Sequence, residues 1–232
     1  MNPKKVIKKE DAFLSYYCAS RIANLFAQLA IKTKFLTPNF FTTLSFILGI
    51  TTAILFALNF LYLACLTLLF TLVFDSADGQ TARLLRKKSQ FGHNYDYHSD
   101  KIKDVALILG LAIGAYQKIH SNWVFIFAFL AISFQFLRNI TRLNRQLFEV
   151  EHQIPKSEPT IIQKDAGQFM RCLKHSTLFK EADRYTLFII FALLNQIPLM
   201  LIIYAGLEFF YAMSSAYLNY QKFKKFDREK HE

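Results

Sequence analysis

Four aspartates stand close together in the chain and are the residues best suited to chemistry. Asp75 and Asp78 form one pair, Asp96 and Asp100 form another, and all four lie within 26 positions. Residues three or four apart share one face of a helix, so each pair presents its carboxylates together. Carboxylate oxygens are hard ligands that favour Mg²⁺ or Mn²⁺. Two such pairs could therefore hold one or two divalent ions that also bind a pyrophosphate.

Small and basic residues adjoin the first pair. Gly79 and Ala82 would let a ligand approach the helix backbone, and Arg83 could pair with a phosphate. At 100° per residue, these three share a helical face with Asp75 and Asp78. The alternative interpretation is a solvated helix end with ordinary surface acids, which would be favoured for any two of the aspartates taken singly.

The elements that must position these residues are membrane helices. The chain of 232 residues is 53% apolar, and no charged residue occurs from Phe35 to Phe74. A single helix of that length would measure about 60 Å, roughly twice the hydrocarbon thickness of a bilayer, so this segment must hold two spans. The sequence predicts an all-α integral membrane protein with six transmembrane helices, at residues 38–58, 60–74, 97–117, 122–141, 179–195 and 198–219. The second helix is expected to continue out of the membrane into the aspartate motif.

An amphipathic helix lying on the membrane surface is predicted before the first span. Residues 10–34 place apolar side chains among polar ones at close to helical spacing. The alternative is a plain surface linker. The predicted organisation is a cytoplasmic N-terminus with this helix at 1–34, a catalytic membrane domain at 35–220 with a cytoplasmic loop at 142–178, and a basic tail at 221–232.

The distribution of basic residues predicts the orientation. With the N-terminus inside, Lys118 is the one Lys or Arg of 28 that falls in an outer loop. The active site and both termini are therefore expected to face the cytoplasm, in a bacterial inner membrane. The net charge of +11 is assigned to loops that face anionic headgroups, which argues against a nucleic-acid partner.

The aspartate-rich stretch resembles the signature of the CDP-alcohol phosphotransferase family. It reads DxxDGxxAR, eight residues, then GxxxDxxxD, and it agrees with the family pattern at every fixed position. The family has six membrane helices, with the motif across helices two and three on the cytoplasmic side. The resemblance implies an enzyme that transfers a phosphate-linked group from a CDP-activated donor to an alcohol and releases CMP, in phospholipid or related lipid biosynthesis.

The resemblance also implies a role for each site residue. Asp75, Asp78 and Asp96 would bind metal, and Asp100 would lie near the metals and act as the general base. The implied cofactor is Mg²⁺ or Mn²⁺, with two ions expected. The implied donor-binding residues are Asn39, Thr42, Gly79, Ala82, Arg83 and Ser89.

The two substrates are less constrained than the site. CDP-diacylglycerol is the expected donor because a lipid anchor would explain an active site at the membrane face, but family members with a soluble CDP-alcohol and a lipid acceptor exist. The acceptor is expected to be a small or phosphorylated alcohol. Basic residues that could bind an acceptor phosphate, or could simply anchor the inner leaflet, are Arg138, Arg142, Arg145, Arg171, Lys174 and Arg184.

Two features lie outside the motif. Gly110 and Gly114 form a GxxxG pattern, which allows close helix approach either within the chain or in a homodimer. Acids at membrane helices, together with Glu208 near the middle of the last predicted span, motivate a remote alternative, a small cation transporter. Against transport, the four aspartates cluster at one inner edge instead of lining a route.

Overall fold

The computed structural model describes residues 19–33, 36–85, 89–153 and 181–231, and these are helical with short connections. No strand occurs in these ranges, so the predicted all-α class is confirmed. The helices are α1 Ser20–Lys32, α2 Pro38–Ala57, α3 Leu61–Leu84, α4 Gln90–Ile119, α5 Trp123–Glu151, α6 Glu181–Leu193 and α7 Ile197–His231.

Four helices are long and apolar enough to cross a membrane: Pro38–Ala57, Leu61–Leu84, Trp123–Glu151 and Ile197–Arg228. They correspond to the first, second, fourth and sixth predicted spans. The third predicted span lies in α4, which begins at Gln90 and carries the polar half of the aspartate motif. The fifth lies in α6, which has 13 residues. The count of six spans therefore stays a prediction.

Three of the short connections contain a residue with left-handed backbone conformation. These are Asn59 between α2 and α3 (φ 60°), His120 between α4 and α5 (φ 47°), and Asn195 between α6 and α7 (φ 57°). A left-handed residue just after a helix ends the helical hydrogen-bond pattern and turns the chain. The predicted tight turn at Asn59 is thus confirmed, and α3 then continues through Gly79 without interruption.

Helices α2 and α4 pack backbone to backbone at the GxxxG pattern. A Cβ atom at Gly110 would lie 2.2 Å from the carbonyl oxygen of Ala53, and one at Gly114 would lie 2.2 Å from that of Phe56. These distances are far below any non-bonded contact, so only glycine fits at either position. The pattern therefore serves packing within the chain, and a homodimer stays a prediction.

Helix α1 packs against α3. The rings of Phe26 and Phe74 lie 5.1 Å apart, and Gln80 Nε2 donates a hydrogen bond to the Ser20 carbonyl at 3.0 Å. The buried side of α1 consists of small residues, Ala23, Ala27 and Ala30, while large apolar side chains are exposed, Ile22, Leu25 and Leu29. Residues 10–18 and 34 of the predicted amphipathic helix lie outside the described residues, and its location at the membrane surface stays a prediction.

The chain divides into two compact units. Among the described residues, the first unit contains α1 to α4, α6 and the beginnings of α5 and α7, and it holds all four aspartates of the motif. The second unit contains the remainder of α5 and α7. The predicted division at residues 34 and 220 follows the expected location of each segment relative to the membrane, and it stays a prediction.

In the second unit, Glu208 has a cationic partner. Its carboxylate is fully buried and accepts a hydrogen bond from Arg138 Nη2 at 3.3 Å. The guanidinium of Arg138 also lies over the ring of Tyr211, 5.9 Å from its centroid. A buried acid is tolerated where a counter-charge accompanies it. Glu208 therefore joins α7 to α5 within the second unit.

Candidate active site

Three of the four motif aspartates come together at the junction of α3 and α4. One carboxylate oxygen from each of Asp75, Asp96 and Asp100 lies within 4.8 Å of the other two. Opposite ligands of a bound Mg²⁺ are about 4 Å apart, so small side-chain adjustments would let these oxygens share an ion. Carboxylates are also the ligand type that Mg²⁺ and Mn²⁺ prefer. The residues present thus fit a divalent cation.

The fourth aspartate has a separate, fixed position. Asp78 is 8% exposed, and its Oδ2 accepts a hydrogen bond from the hydroxyl of Thr42 at 2.8 Å. Thr42 lies one turn into α2, so this bond joins the beginning of α2 to the polar end of α3. Thr42 therefore holds the carboxylate in one orientation.

A cavity of about 470 Å³ adjoins the aspartates. This volume is in the usual range for sites that bind small molecules and cofactors. All six predicted donor-binding residues line it, together with Asp78 and Asp96. The complete lining is Pro38, Asn39, Thr42, Asp78, Gly79, Ala82, Arg83, Ser89, Gln90, Gly92, His93 and Asp96. Residues from three helices thus meet on one surface, and their role in binding the donor stays a prediction.

Two glycines shape the cavity wall in different ways. At Gly79 the nearest atom to an added Cβ would be Nη1 of Arg83, at 3.5 Å, so the guanidinium lies over a flat piece of helix. At Gly92 an added Cβ would lie 3.0 Å from Ser89 Oγ and 3.1 Å from Asn39 Oδ1. Ser89 Oγ also accepts a hydrogen bond from the Gly92 N–H at 2.9 Å and so caps α4. Ser89 therefore has a structural role, whether or not it also contacts the donor.

Lys103 belongs to the acidic centre and was missed in the sequence. Its ammonium lies 3.0 Å from Asp75 Oδ1, 2.8 Å from Asp100 Oδ1 and 3.0 Å from Ser45 Oγ. The residue is fully buried. Lys103 follows Asp100 by three positions, a spacing that places two side chains on the same helical face. That spacing was the one available signal, and it is common among surface residues.

The predicted acceptor-binding arginines are engaged elsewhere or exposed. Arg184 Nη1 donates a hydrogen bond to Asp104 Oδ2 at 2.9 Å, and both residues are buried in the first unit. Arg138 pairs with Glu208 in the second unit. Arg142 is exposed on α5 and Arg145 is half-buried there. The other two, Arg171 and Lys174, lie outside the described residues, and acceptor binding by any of the six stays a prediction.

The comparison with protein families decides the identity. The model of the family described as CDP-alcohol phosphatidyltransferase matches residues 35–207, which include all four aspartates and the whole cavity. The chain belongs to the CDP-alcohol phosphatidyltransferase family. It is therefore a transferase, as the motif predicted, and its apolar helices place this CDP-alcohol phosphatidyltransferase in a membrane.

A solved structure shares the fold of this phosphatidyltransferase. It is the crystal structure of Mycobacterium tuberculosis phosphatidylinositol phosphate synthase with CDP-DAG bound. The TM-score is 0.58 at 18% sequence identity, with 88% of this chain and 92% of that chain covered. No protein with a curated function matches the sequence. At this identity the likeness extends to the fold alone.

Proposed function

We propose that this enzyme transfers the phosphatidyl group of CDP-diacylglycerol to the hydroxyl of a small or phosphorylated alcohol, with release of CMP and with dependence on a divalent cation. The observation that carries the proposal is the meeting of two features on α2 to α4. One is the three-carboxylate cluster, and the other is the adjoining cavity, lined by Asp78, Asp96 and all six motif-derived donor residues.

A lipid-linked donor is supported by the location of the site. The cavity lies at the polar ends of α2 and α3, two helices that are otherwise apolar enough to cross a membrane. A diacylglycerol tail could stay in the bilayer while the CDP group enters such a cavity. The synthase of similar fold holds CDP-DAG in its crystal structure. By the distribution of Lys and Arg, we place the cavity on the cytoplasmic side of a bacterial inner membrane.

The metal would be held by Asp75, Asp78, Asp96 and Asp100. A bound Mg²⁺ or Mn²⁺ supplies positive charge that offsets the donor pyrophosphate and the charge developing on the leaving CMP. The hydroxyl of Thr42 keeps Asp78 turned toward the cavity, at 2.8 Å from its Oδ2. The guanidinium of Arg83 lies on the same wall and would bind a phosphate of the donor.

The transfer itself needs a base. Asp100 would accept the proton of the acceptor hydroxyl while the oxygen attacks the β-phosphorus. The new bond joins the acceptor oxygen to phosphorus, and the bond from phosphorus to the bridging oxygen breaks, so that CMP leaves with that oxygen. The Asp100 side chain is 20% exposed, compared with 1% for the Lys103 side chain beside it, and this partial exposure supports access of an acceptor to Asp100.

The direct test is turnover by purified protein in lipid nanodiscs. CDP-diacylglycerol would be offered with a panel of alcohols and sugar phosphates, and CMP release and lipid product mass would be measured. A second arm would pair diacylglycerol with soluble CDP-alcohols. Activity in the first arm, lost on chelation and restored by Mg²⁺ or Mn²⁺, is the expected result.

Matched variants make the test specific to the site. Asp75→Asn, Asp78→Asn and Asp96→Asn should each abolish CMP release, because a carboxamide offers no charge to the cation. Asp227→Asn makes the same chemical change at an exposed residue of α7 and should leave activity unchanged. Turnover in the second arm alone would assign the lipid to the acceptor. CMP release that continues under chelation would refute the metal-dependent proposal.

A further inference from the structure

Lys103 is a fully buried cation that the aspartate motif does not include. Its ammonium lies within 3.0 Å of three oxygens, one from each of Ser45, Asp75 and Asp100. A buried ammonium is costly unless oppositely charged and hydrogen-bonding groups surround it. Here the two carboxylates supply the counter-charge. They are also the two motif aspartates that do not line the cavity.

The fold provides a dedicated path for this side chain. A Cβ atom at Gly49 would lie 2.8 Å from both Cγ and Cδ of Lys103, so the lysine stem crosses α2 where α2 has no side chain. Ser45 lies one turn earlier on the same helix, and its hydroxyl, which contacts the ammonium, also donates to the Thr71 carbonyl of α3 at 3.2 Å. Three helices thus fix the position of the charge.

We propose that the ammonium of Lys103 takes the place of a second divalent cation beside Asp75 and Asp100, so that this enzyme loads one divalent ion instead of two. The inference rests on the proposed metal-dependent function and specifies its ion count. Asp78 and Asp96 line the cavity, and they would hold the one cation together with the carboxylate oxygens of the cluster that Lys103 does not contact.

The reason is competition for the same oxygens. A cation bridging Asp75 and Asp100 through their Oδ1 atoms would need both at about 2.1 Å, and the ammonium already contacts these two atoms at 3.0 and 2.8 Å. It would also lie only a few ångströms from the Lys103 ammonium, whose side chain is fully buried, so that solvent screens the repulsion only in part. Contacts with Ser45, Asp75 and Asp100 hold the ammonium in this position.

The test counts bound ions. Protein in lipid nanodiscs would be titrated with Mn²⁺, and saturable binding would be measured by equilibrium dialysis and by the Mn²⁺ paramagnetic resonance signal. The expected ratio is one Mn²⁺ per chain. Lys103→Met keeps a long side chain but removes the charge, and the ratio should rise to two.

Two further variants separate charge from folding. Gly49→Ala pushes the lysine stem aside while its charge stays in the protein, and the ratio should again rise toward two. Gly49→Ala also tests the proposal if Lys103→Met does not fold. Lys101→Met is the matched control, because Lys101 lies 3.7 Å from Asp104 and outside the acidic cluster, and its ratio should stay at one.

The outcomes distinguish the inference from the function on which it rests. Two Mn²⁺ per chain in the unmodified protein would overturn the inference, while chelator-sensitive CMP release would leave the function standing. A ratio that falls to zero in Lys103→Met would also overturn it, since the ammonium would then organise the ligands instead of replacing an ion. Absence of both Mn²⁺ binding and CMP release in the unmodified protein would refute the function itself.

Discussion

Replacing Gly110 with alanine tests whether the close packing of α2 and α4 holds the active site together. The added Cβ would lie 2.2 Å from the carbonyl oxygen of Ala53 and 2.8 Å from its carbonyl carbon. Carbon and oxygen atoms in contact are normally about 3.3 Å apart or more. The helices must therefore separate by about 1 Å, because the neighbour is backbone and cannot rotate away.

Two effects of opposite sign decide the size of the change in the free energy of unfolding. Alanine favours a helix over glycine by up to about 1 kcal/mol, and overpacking a tight contact costs about 1–3 kcal/mol. Gly206→Ala is the matched control, because a Cβ there meets nothing within 4 Å and only the favourable term applies. The difference between the two variants then isolates the packing cost. For a chain of this size it corresponds to a Tm difference of about 2–12 °C.

The assay is thermal unfolding of both variants in the same detergent, followed by CMP release in nanodiscs. Gly110→Ala should have the lower Tm. Its turnover should fall by as much as about 100-fold, because α4 carries Asp96 and Asp100 and a displacement near 1 Å misaligns reacting groups. Equal Tm values for the two variants, with full activity in Gly110→Ala, would refute the packing argument.

Three other predictions concern the site and its orientation. Thr42→Val removes the hydroxyl that orients the buried carboxylate of Asp78, a proposed metal ligand, and should weaken donor binding by about 1.5–3 kcal/mol, whereas Thr42→Ser should retain it. Calorimetry with metal present measures both affinities. Asp100→Asn should lose turnover by about 10²-fold or more while its affinity for the donor stays largely intact. Asp96→Asn should lose both turnover and donor affinity. An equal loss of donor affinity in the two variants would make Asp100 a metal ligand instead of the base. In a cysteine-free background, a cysteine that replaces Asn94 should react with a membrane-impermeant thiol reagent from the cytoplasmic side alone. A cysteine that replaces Asn122 should react from the outside alone. The reverse pattern would show that the predicted orientation is wrong.

The sequence by itself determined the all-helical class, the turn at Asn59 and the family. An uncharged run from Phe35 to Phe74 is too long for one span, and Asn59 within it marks the turn, so α2 and α3 follow from local composition. The helical spacing of the aspartates predicted two carboxylate pairs on helical faces. These features depend on neighbours three or four residues away, which a sequence displays directly.

The extents of some elements differed from prediction because apolar runs mark only the membrane-embedded part of a helix. Helix α4 starts at Gln90 and not near residue 97, since the capping hydroxyl of Ser89 begins it in the polar motif. Helix α7 continues to His231, well past the predicted end at 219. Polar residues continue a helix as readily as apolar ones when no breaker intervenes.

Only the tertiary structure decided which residues meet across helices. Thr42 and Asp78 are 36 positions apart, Arg138 and Glu208 are 70 apart, and Lys103 reaches Asp75 across 28. Each contact depends on how far one helix is rotated and shifted against another, and that is set by close packing at sites such as Gly49 and Gly110. A local sequence pattern carries no record of rotation or register between helices. The lysine charge inside the acidic centre therefore became visible only when α2, α3 and α4 were brought together.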